Sequence, residues 1–257
     1  MKQMRSRPNS IEKALQILLA FDAEQSIWGV RELSTHLDLS PPTVQRILKT
    51  LKEYRFVDQD PESRLYRLGP VYFRFLGIFQ SAYPIRRTAI SFMERLQAKT
   101  QETVHLNVID RFERVCIEHV ESSQYLKASM PVGNRSPLYA GASSKCLLAF
   151  STAAFRQQYL SQVAPVALTE NTFTDSTELA VEVERTRQRG YASSLGERTP
   201  GLGSLSAPVL THNGNVLAAI SLAIPEIRFR DKKHRDACLR GLRGTAVELS
   251  QLMGYGR

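Results

Sequence analysis

Val44, Ile47, Leu48 and Leu51 recur at the spacing of one helix face and leave Pro42, Thr43, Gln45, Arg46, Lys49, Lys52 and Glu53 on the others. Ser40 is placed to cap this helix, and Pro41 and Pro42 fill first-turn positions whose N–H groups lack intrahelical partners in any case, so the helix is predicted to start at Pro41. Upstream, Val30, Leu33 and Leu37 form a shorter stripe, and Asp38-Leu39-Ser40 is too brief for anything but a tight turn between two helices. A first helix, with Ser10 as its predicted cap and Glu12 in its first turn, runs to about Ala23 and turns Ile11, Ala14, Leu15 and Leu18 inward. Downstream, Phe56-Val57-Asp58 and Leu65-Tyr66-Arg67-Leu68 are short extended runs joined by the turn-rich stretch Gln59 to Arg64. Trp28 to Gly69 thus predicts a winged helix-turn-helix with a two-stranded ribbon.

Gly69-Pro70 punctuates the chain, and Val71 to about Ala82 predicts a linker helix that Pro84 interrupts. Another helix spans Ile85 to Lys99. The period then shortens towards two, giving strands at Thr103 to Ile109, Arg114 to Val120 and Tyr125 to Ala128. A helix is predicted at Ser143 to Phe150, and a second, capped by Ser176, ends at Gly190. Tyr191 to Ser194, Ser204 to Leu210 and Val216 to Ile224 are further strands, the last two joined by the turn Asn213-Gly214, before a final helix from about Asp231 to Met253. Interspersed strands and helices imply an α+β domain with an antiparallel sheet. The predicted organisation is a flexible basic arm at 1–9, the winged domain at 10–69, the linker helix at 70–83 and the second domain at 84–257.

Composition adds an anionic partner. The formal charge is +9, although residues 1–80 hold 12 Lys/Arg against 9 Asp/Glu and the remainder 22 against 16, so basic charge is not confined to the winged domain. Lys2, Arg5 and Arg7 form a short basic run ahead of Pro8, fit to enter a minor groove or simply to stay disordered. Cys116, Cys146 and Cys238 are too few and too scattered for a disulfide framework and fit a reducing compartment. No leader and no apolar run long enough to span a bilayer is visible, so the expected location is cytoplasmic.

In a helix-turn-helix the second helix lies in the major groove with its first residues at base edges. Ser40, Thr43, Gln45 and Arg46 occupy those positions, and Arg pairs bidentately with guanine and Gln with adenine. Lys49, Arg64 at the wing tip and Arg67 on its second strand are placed for phosphates. A polar helix face is often merely solvated; the capped helix followed by a wing is what favours double-stranded DNA.

In the second domain, Val132 to Lys145 and Gly190 to Pro208 carry small residues and glycines that let backbone N–H groups approach a ligand. Gly141 to Lys145 stands at a helix start, where unpaired N–H groups favour a carboxylate, and a pocket for a small organic acid is the natural reading. Enzyme signatures fail. Ala142-Ser143-Ser144-Lys145 lacks the serine three residues before lysine, and Gly201-Leu202-Gly203 matches only the first two glycines of a dinucleotide fingerprint. Cys116 and His119 are expected on opposite strand faces, His105 reads as structural, and neither a metal site, a cofactor nor a nucleophile–base pair is predicted.

The chain resembles the IclR family of bacterial transcriptional regulators. The matching runs are Ser10-Ile11-Glu12-Lys13-Ala14-Leu15, Ser40 to Leu48, Arg64 to Gly69, Glu102 to Leu106, Pro137 to Lys145, Gly190-Tyr191-Ala192, Ser206 to Val209 and Ala218-Ala219-Ile220-Ser221. The resemblance implies a winged helix-turn-helix, a linker helix and a GAF-like effector domain, assembled as a homo-dimer or tetramer on a palindromic operator and controlled by a small organic acid. Carried onto matching positions, it implicates Ala142, Ser143, Ser194, Leu202, Ser204, Ser221 and Ala223 in effector binding, with Tyr125, Ala128 and Ser136 as wall positions. Arg55 departs from the family, which usually has glycine there. Ser194 and Ala223 stand where some members carry an acidic residue and a serine. The rival reading is a metabolic enzyme with an appended DNA-binding domain; it needs a nucleotide loop, and no complete one is present.

Overall fold

A computed structural model describes residues 8–22, 24–82 and 84–256, and the chain divides into two compact units, Met1–Tyr83 and Pro84–Arg257. The basic run Lys2, Arg5 and Arg7 lies outside the described residues.

In the first unit, α1 spans Ser10–Leu19. Its cap is Asn9, not Ser10: Asn9 Oδ1 accepts the N–H groups of Ile11 and Glu12, and Glu12 Oε2 accepts the N–H of Asn9, a reciprocal capping box that also removes Asn9 from the expected arm. The inward face differs from expectation as well. Ile17 is fully buried, whereas Ile11 and Leu15 are exposed together with Leu19. A short strand β1, Ile27–Trp28, precedes α2, Val30–Leu37, and was not anticipated from two-residue patterning. Trp28 donates its Nε1 hydrogen to the Ala20 carbonyl at 2.9 Å and ties β1 to the end of α1. Asp38 then adopts a left-handed conformation, φ 52°, which turns the chain into α3, Pro41–Glu53.

Ser40 occupies the N-cap position of α3 without a side-chain cap bond. The two prolines remove the N–H groups it would reach first, Thr43 N–H goes to the Ser40 carbonyl, and Ser40 Oγ settles 2.8 Å from Thr43 Oγ1. The wing is β2, Val57–Gln59, and β3, Tyr66–Leu68, and with β1 it makes a three-stranded sheet in the order β1-β3-β2. Arg55, the departure noted above, has φ +64°, a conformation that glycine adopts without cost. Gly69 faces it so closely that a Cβ there would stand 2.3 Å from the Arg55 carbonyl oxygen. The linker helix α4 spans Val71–Ala82.

The second unit begins with α5, Pro84–Thr100, and continues through β4, Thr103–Asp110, β5, Glu113–Val120, β6, Arg135–Pro137, α6, Ala142–Phe150, α7, Ala153–Gln162, and α8, Ser176–Arg189. It ends with β7, Ala192–Leu195, β8, Leu202–Leu210, β9, Val216–Pro225, the short α9, Glu226–Phe229, and α10, Lys232–Leu252. The strands form one antiparallel sheet in the order β6-β5-β4-β9-β8-β7. Tyr125 to Ala128 is not a strand, because the backbone leaving β5 is held in an irregular path by Ser122, whose N–H donates to Thr103 Oγ1 at 3.0 Å. Asp175, not Ser176, caps α8. Helix α7, which presents only Tyr159 as a buried residue, escapes detection by apolar spacing.

Strand parity assigns the two faces of the sheet. Val104, Leu106, Leu205, Ala207, Ile220 and Leu222 pack with Met93, Leu96, Leu242 and Leu249 of α5 and α10 in the main core. Ala219 on the opposite face joins the cluster of Leu147, Leu148, Leu179 and Val183 from α6 and α8. This is a layered, GAF-like arrangement in which one sheet face closes the main core and the other packs in part against α6 and α8.

Candidate functional site

Helix α3 buries Val44, Ile47 and Leu48 and leaves Ser40, Gln45, Arg46 and Lys49 exposed. Thr43 is half-buried and its hydroxyl is tied to Ser40. Lys52 Nζ reaches Gln59 Oε1 at 3.4 Å and joins the helix to the wing. In the wing turn, Asp60 Oδ1 accepts the Ser63 N–H and hydroxyl and the Glu62 N–H, which holds its carboxyl below the usual range. Arg64 at the tip (φ 61°) and Arg67 on β3 are exposed. Among the described residues, no carboxylate lies within 4 Å of the cationic atoms of Arg46, Lys49, Arg64 or Arg67. The helix start and wing therefore present these cations without an ion-paired carboxylate.

In the second unit a cavity of about 430 Å³ opens between the sheet face opposite α5 and α10, the start of α6 and the segments around Met130 and Arg198. Ala142 and Ser143 line it from α6, Ser194, Leu202 and Ser204 from β7 and β8, and Ser221 and Ala223 from β9. Ala128 belongs to the covering segment. Two of the expected wall residues do not reach it. Tyr125 is fully exposed, on the irregular segment where a strand was predicted, and Ser136 is buried on β6, an edge strand separated from β4 by β5, with its Oγ unpartnered.

The polar lining is set by charge. Gly141, at φ +90°, turns the chain into α6, and its N–H donates to Glu197 Oε2 at 3.0 Å, while the Ala142 N–H donates to Ser194 Oγ at 3.0 Å. The helix start predicted to receive a ligand carboxylate thus already holds one from the chain itself. Glu197 Oε1 in turn lies 2.5 Å from Nζ of the fully buried Lys145. Burial pushes the Glu197 carboxyl up and Lys145 opposes that shift.

Across the cavity lie Arg114 and Arg198. Arg114 Nη1 donates to Asn107 Oδ1 at 3.4 Å and to the Asn134 carbonyl at 3.2 Å; its Nη2 and Nη2 of Arg198 share Asn134 Oδ1 at 3.4 and 3.0 Å. Burial first, then the neighbouring Arg198, brings the Arg114 guanidinium down to about 10. His105, also in the lining, is driven down to about 3 by burial first and then by His119, Arg114 and Arg198, so it is neutral. Its ring stacks on His119 at 6.2 Å. The expectation that Cys116 and His119 face opposite ways fails, because a bulge at Leu106/Asn107 pairs Cys116 with Asn107 and His119 with His105, both on the cavity face.

Comparison with known proteins supplies the frame for this geometry. Residues 79–251 match the family described as bacterial transcriptional regulator IclR C-terminal, and residues 10–61 match the IclR helix-turn-helix domain. The chain belongs to the IclR family of bacterial transcriptional regulators. The regulator KdgR of Dickeya chrysanthemi is 34% identical over 248 residues, which cover 96% of this chain and 80% of that protein. The IclR structure from Thermotoga maritima aligns with TM-score 0.81 at 28% identity, covering 96% of this chain and 99% of that one. An IclR homologue from Microbacterium hydrocarbonoxydans, solved in complex with 4-hydroxybenzoate, aligns with TM-score 0.83 at 20% identity, covering 95% and 99%. This IclR-family chain is accordingly a DNA-binding transcriptional regulator with an N-terminal helix-turn-helix domain.

Sequence reasoning passed over the residues that give the IclR-family cavity its charged and amide lining: Arg114, Arg198 and Glu197, with Asn107 and Asn134. Arg114 sits in a run read only as a strand, and nothing local signals that both of its faces are covered. One cluster outside the cavity does resemble an enzyme triad. Cys238 Sγ lies 3.5 Å from His234 Nε2, which lies 2.8 Å from Glu102 Oε1. Both contacts use the same imidazole nitrogen, so the ring does not stand between nucleophile and carboxylate as a relay requires. Burial pushes the Cys238 thiol up to about 12, and Glu102 is bound bidentately by Arg228 at 2.6 and 2.7 Å. The cluster is a structural clamp between α10, α9 and the start of β4. Among the described residues no helix is long and apolar enough to cross a membrane.

Proposed function

We propose that operator binding by this regulator is controlled by a small organic acid held in the cavity of the second unit. The observation that carries the reading is the cavity itself, a recess of about 430 Å³ on the sheet face away from the main core, with Ser143, Ser194, Ser204 and Ser221 in its lining. Its size suits a small ligand. The 4-hydroxybenzoate complex of the Microbacterium homologue supports an organic acid as the class of effector.

In this reading Arg46, Gln45 and Thr43 meet base edges from α3 with Ser40 at the helix entrance, while Lys49, Arg64 and Arg67 hold phosphates. A second copy of the chain covers the apolar stripe Ile11, Leu15 and Leu19 of α1, which is 73, 53 and 80% exposed, and the exposed Phe73 and Ile78 of α4. Two copies give two recognition helices and hence a palindromic operator. With bacterial DNA as its partner, the protein works in the cytoplasm.

Arg46→Ala tests the assignment on the DNA side. If Arg46 reads a base, the variant loses about 1–3 kcal/mol on the operator and tolerates substitution at one base position. Equal loss on every sequence moves Arg46 to the phosphate contacts instead.

A further inference from the structure

Resting on the effector reading above, we infer that Arg114 and Arg198 form the anion seat of the cavity and that this seat takes a compact dianionic group rather than a lone carboxylate. The charges lining the cavity leave these two unmatched. Lys127 pairs with Glu121 at 2.7 Å, and Glu197 pairs with Lys145. No carboxylate lies within 4 Å of either guanidinium among the described residues. Their partners are neutral, and poor ones in part: Arg114 Nη1 and Arg198 Nη1 face the Met130 thioether at 3.0 and 3.5 Å. A thioether is a weak acceptor.

Arg114 is only 1% exposed, and its Nε has no partner, nor has Nε2 of the adjacent, 3% exposed His105. A buried cation without a counterion is costly to keep, and an anion supplied by a ligand beside it offsets that cost. The downward shift of the Arg114 and Arg198 guanidiniums, set chiefly by burial, registers the same imbalance.

Geometry fixes the size of the group. Both guanidiniums donate to the single atom Asn134 Oδ1, so the two cations stand side by side on one part of the wall instead of bracketing a long molecule. Two planar cations on one group match the oxygens of a phosphate monoester or of two carboxylates on one carbon. The start of α6 is not available as a second seat, because Glu197 and Ser194 hold its first N–H groups. The uncharged remainder of the ligand then lies along Ser204, Ser221 and Ala223.

The test is calorimetry on the full chain with malonate, inorganic phosphate and acetate at one ionic strength. The expected result is binding of malonate or phosphate at least tenfold tighter than acetate, and loss of that preference in both Arg114→Gln and Arg198→Gln. Far-ultraviolet circular dichroism checks the fold of each variant, and if Arg114→Gln fails to fold, the half-buried Arg198 carries the test alone. Malonate against phosphate separates the two sources of the dianion. Equal affinity for acetate, no binding of either dianion, or a preference that survives in folded Arg198→Gln overturns the inference. An effect of monocarboxylates on operator binding without any dianion preference would sink this inference and spare the effector reading. Dianion binding that leaves operator binding unchanged would do the reverse.

Discussion

Lys145→Met should destabilise the second unit by about 3–5 kcal/mol, the range for removing one partner of a buried ion pair. Lys145 is 1% exposed and its Nζ contacts Glu197 Oε1 at 2.5 Å, the Ser193 carbonyl at 3.1 Å and Glu182 Oε1 at 3.5 Å. Methionine fills most of the volume, so the change isolates charge. Glu197 is left buried with the Gly141 N–H, and its carboxyl, already raised by burial and lowered chiefly by Lys145, moves further up and takes a proton. Glu182 keeps Arg189 at 2.8 Å and is less affected. At about 2–4 °C per kcal/mol for a unit of this size, the melting temperature falls by on the order of 10 °C.

Lys145→Met/Glu197→Leu removes both charges and should recover much of the loss, giving a coupling of about 2 kcal/mol or more. The assay is urea unfolding followed by circular dichroism, with Trp28 as an internal control. It is the only tryptophan and lies in the first unit, so its fluorescence midpoint should stay where it is. A loss below 1 kcal/mol, or a double variant as unstable as the single one, refutes the view that this pair anchors the start of α6.

Stability should also respond to pH through His105. Its pKa is about 3 in the folded chain against 6.5 ordinarily, so its contribution is fully present above pH 6.5 and is lost as pH falls from 6.5 towards 3, about 3 kcal/mol of it by pH 4.5. His105→Gln should flatten that slope by one proton, and an unchanged slope in an acid titration of unfolding free energy contradicts the assignment. In the first unit, Arg55→Gly should stabilise by about 0.5–1 kcal/mol by relieving the left-handed backbone, whereas Gly69→Ala should cost about 1–3 kcal/mol because its Cβ meets the Arg55 carbonyl. Thermal melts of the two variants moving in the same direction would contradict this.

The architecture was legible wherever a long apolar period decided it. Val44, Ile47 and Leu48 on α3, and the apolar run along Val216 to Ile224, specify a helix face and a strand covered on both sides without help from the rest of the chain. Caps were missed by one residue at Asn9 and Asp175, because each precedes a serine equally suited to the role and only the side chain's reach to the next turn decides. On α1, Ile11 and Leu15 fit a helical stripe as well as Ile17 does, and spacing alone does not say which apolar side meets the core.

Most of the residues that the family resemblance implicated line the cavity of the second unit. The charge of that cavity was not legible in the sequence. Arg114 on β5 and Arg198 on the loop after β7 meet through Asn134 and Met130, and an arginine on a strand reads as solvent-facing until both sheet faces are known to be covered. Cys116 and His119 were separated by counting, and the bulge added the residue that reunites them.

The most direct test of ligand-controlled operator binding is fluorescence anisotropy of a labelled duplex from upstream of the chain's own gene, titrated with the full-length protein at two salt concentrations, with and without pooled small carboxylic acids. The account predicts tight, salt-sensitive binding that at least one pool shifts. Specific binding that no acid pool alters would contradict ligand control through the cavity, and the absence of specific binding would contradict the assignment of α3 and the wing as well.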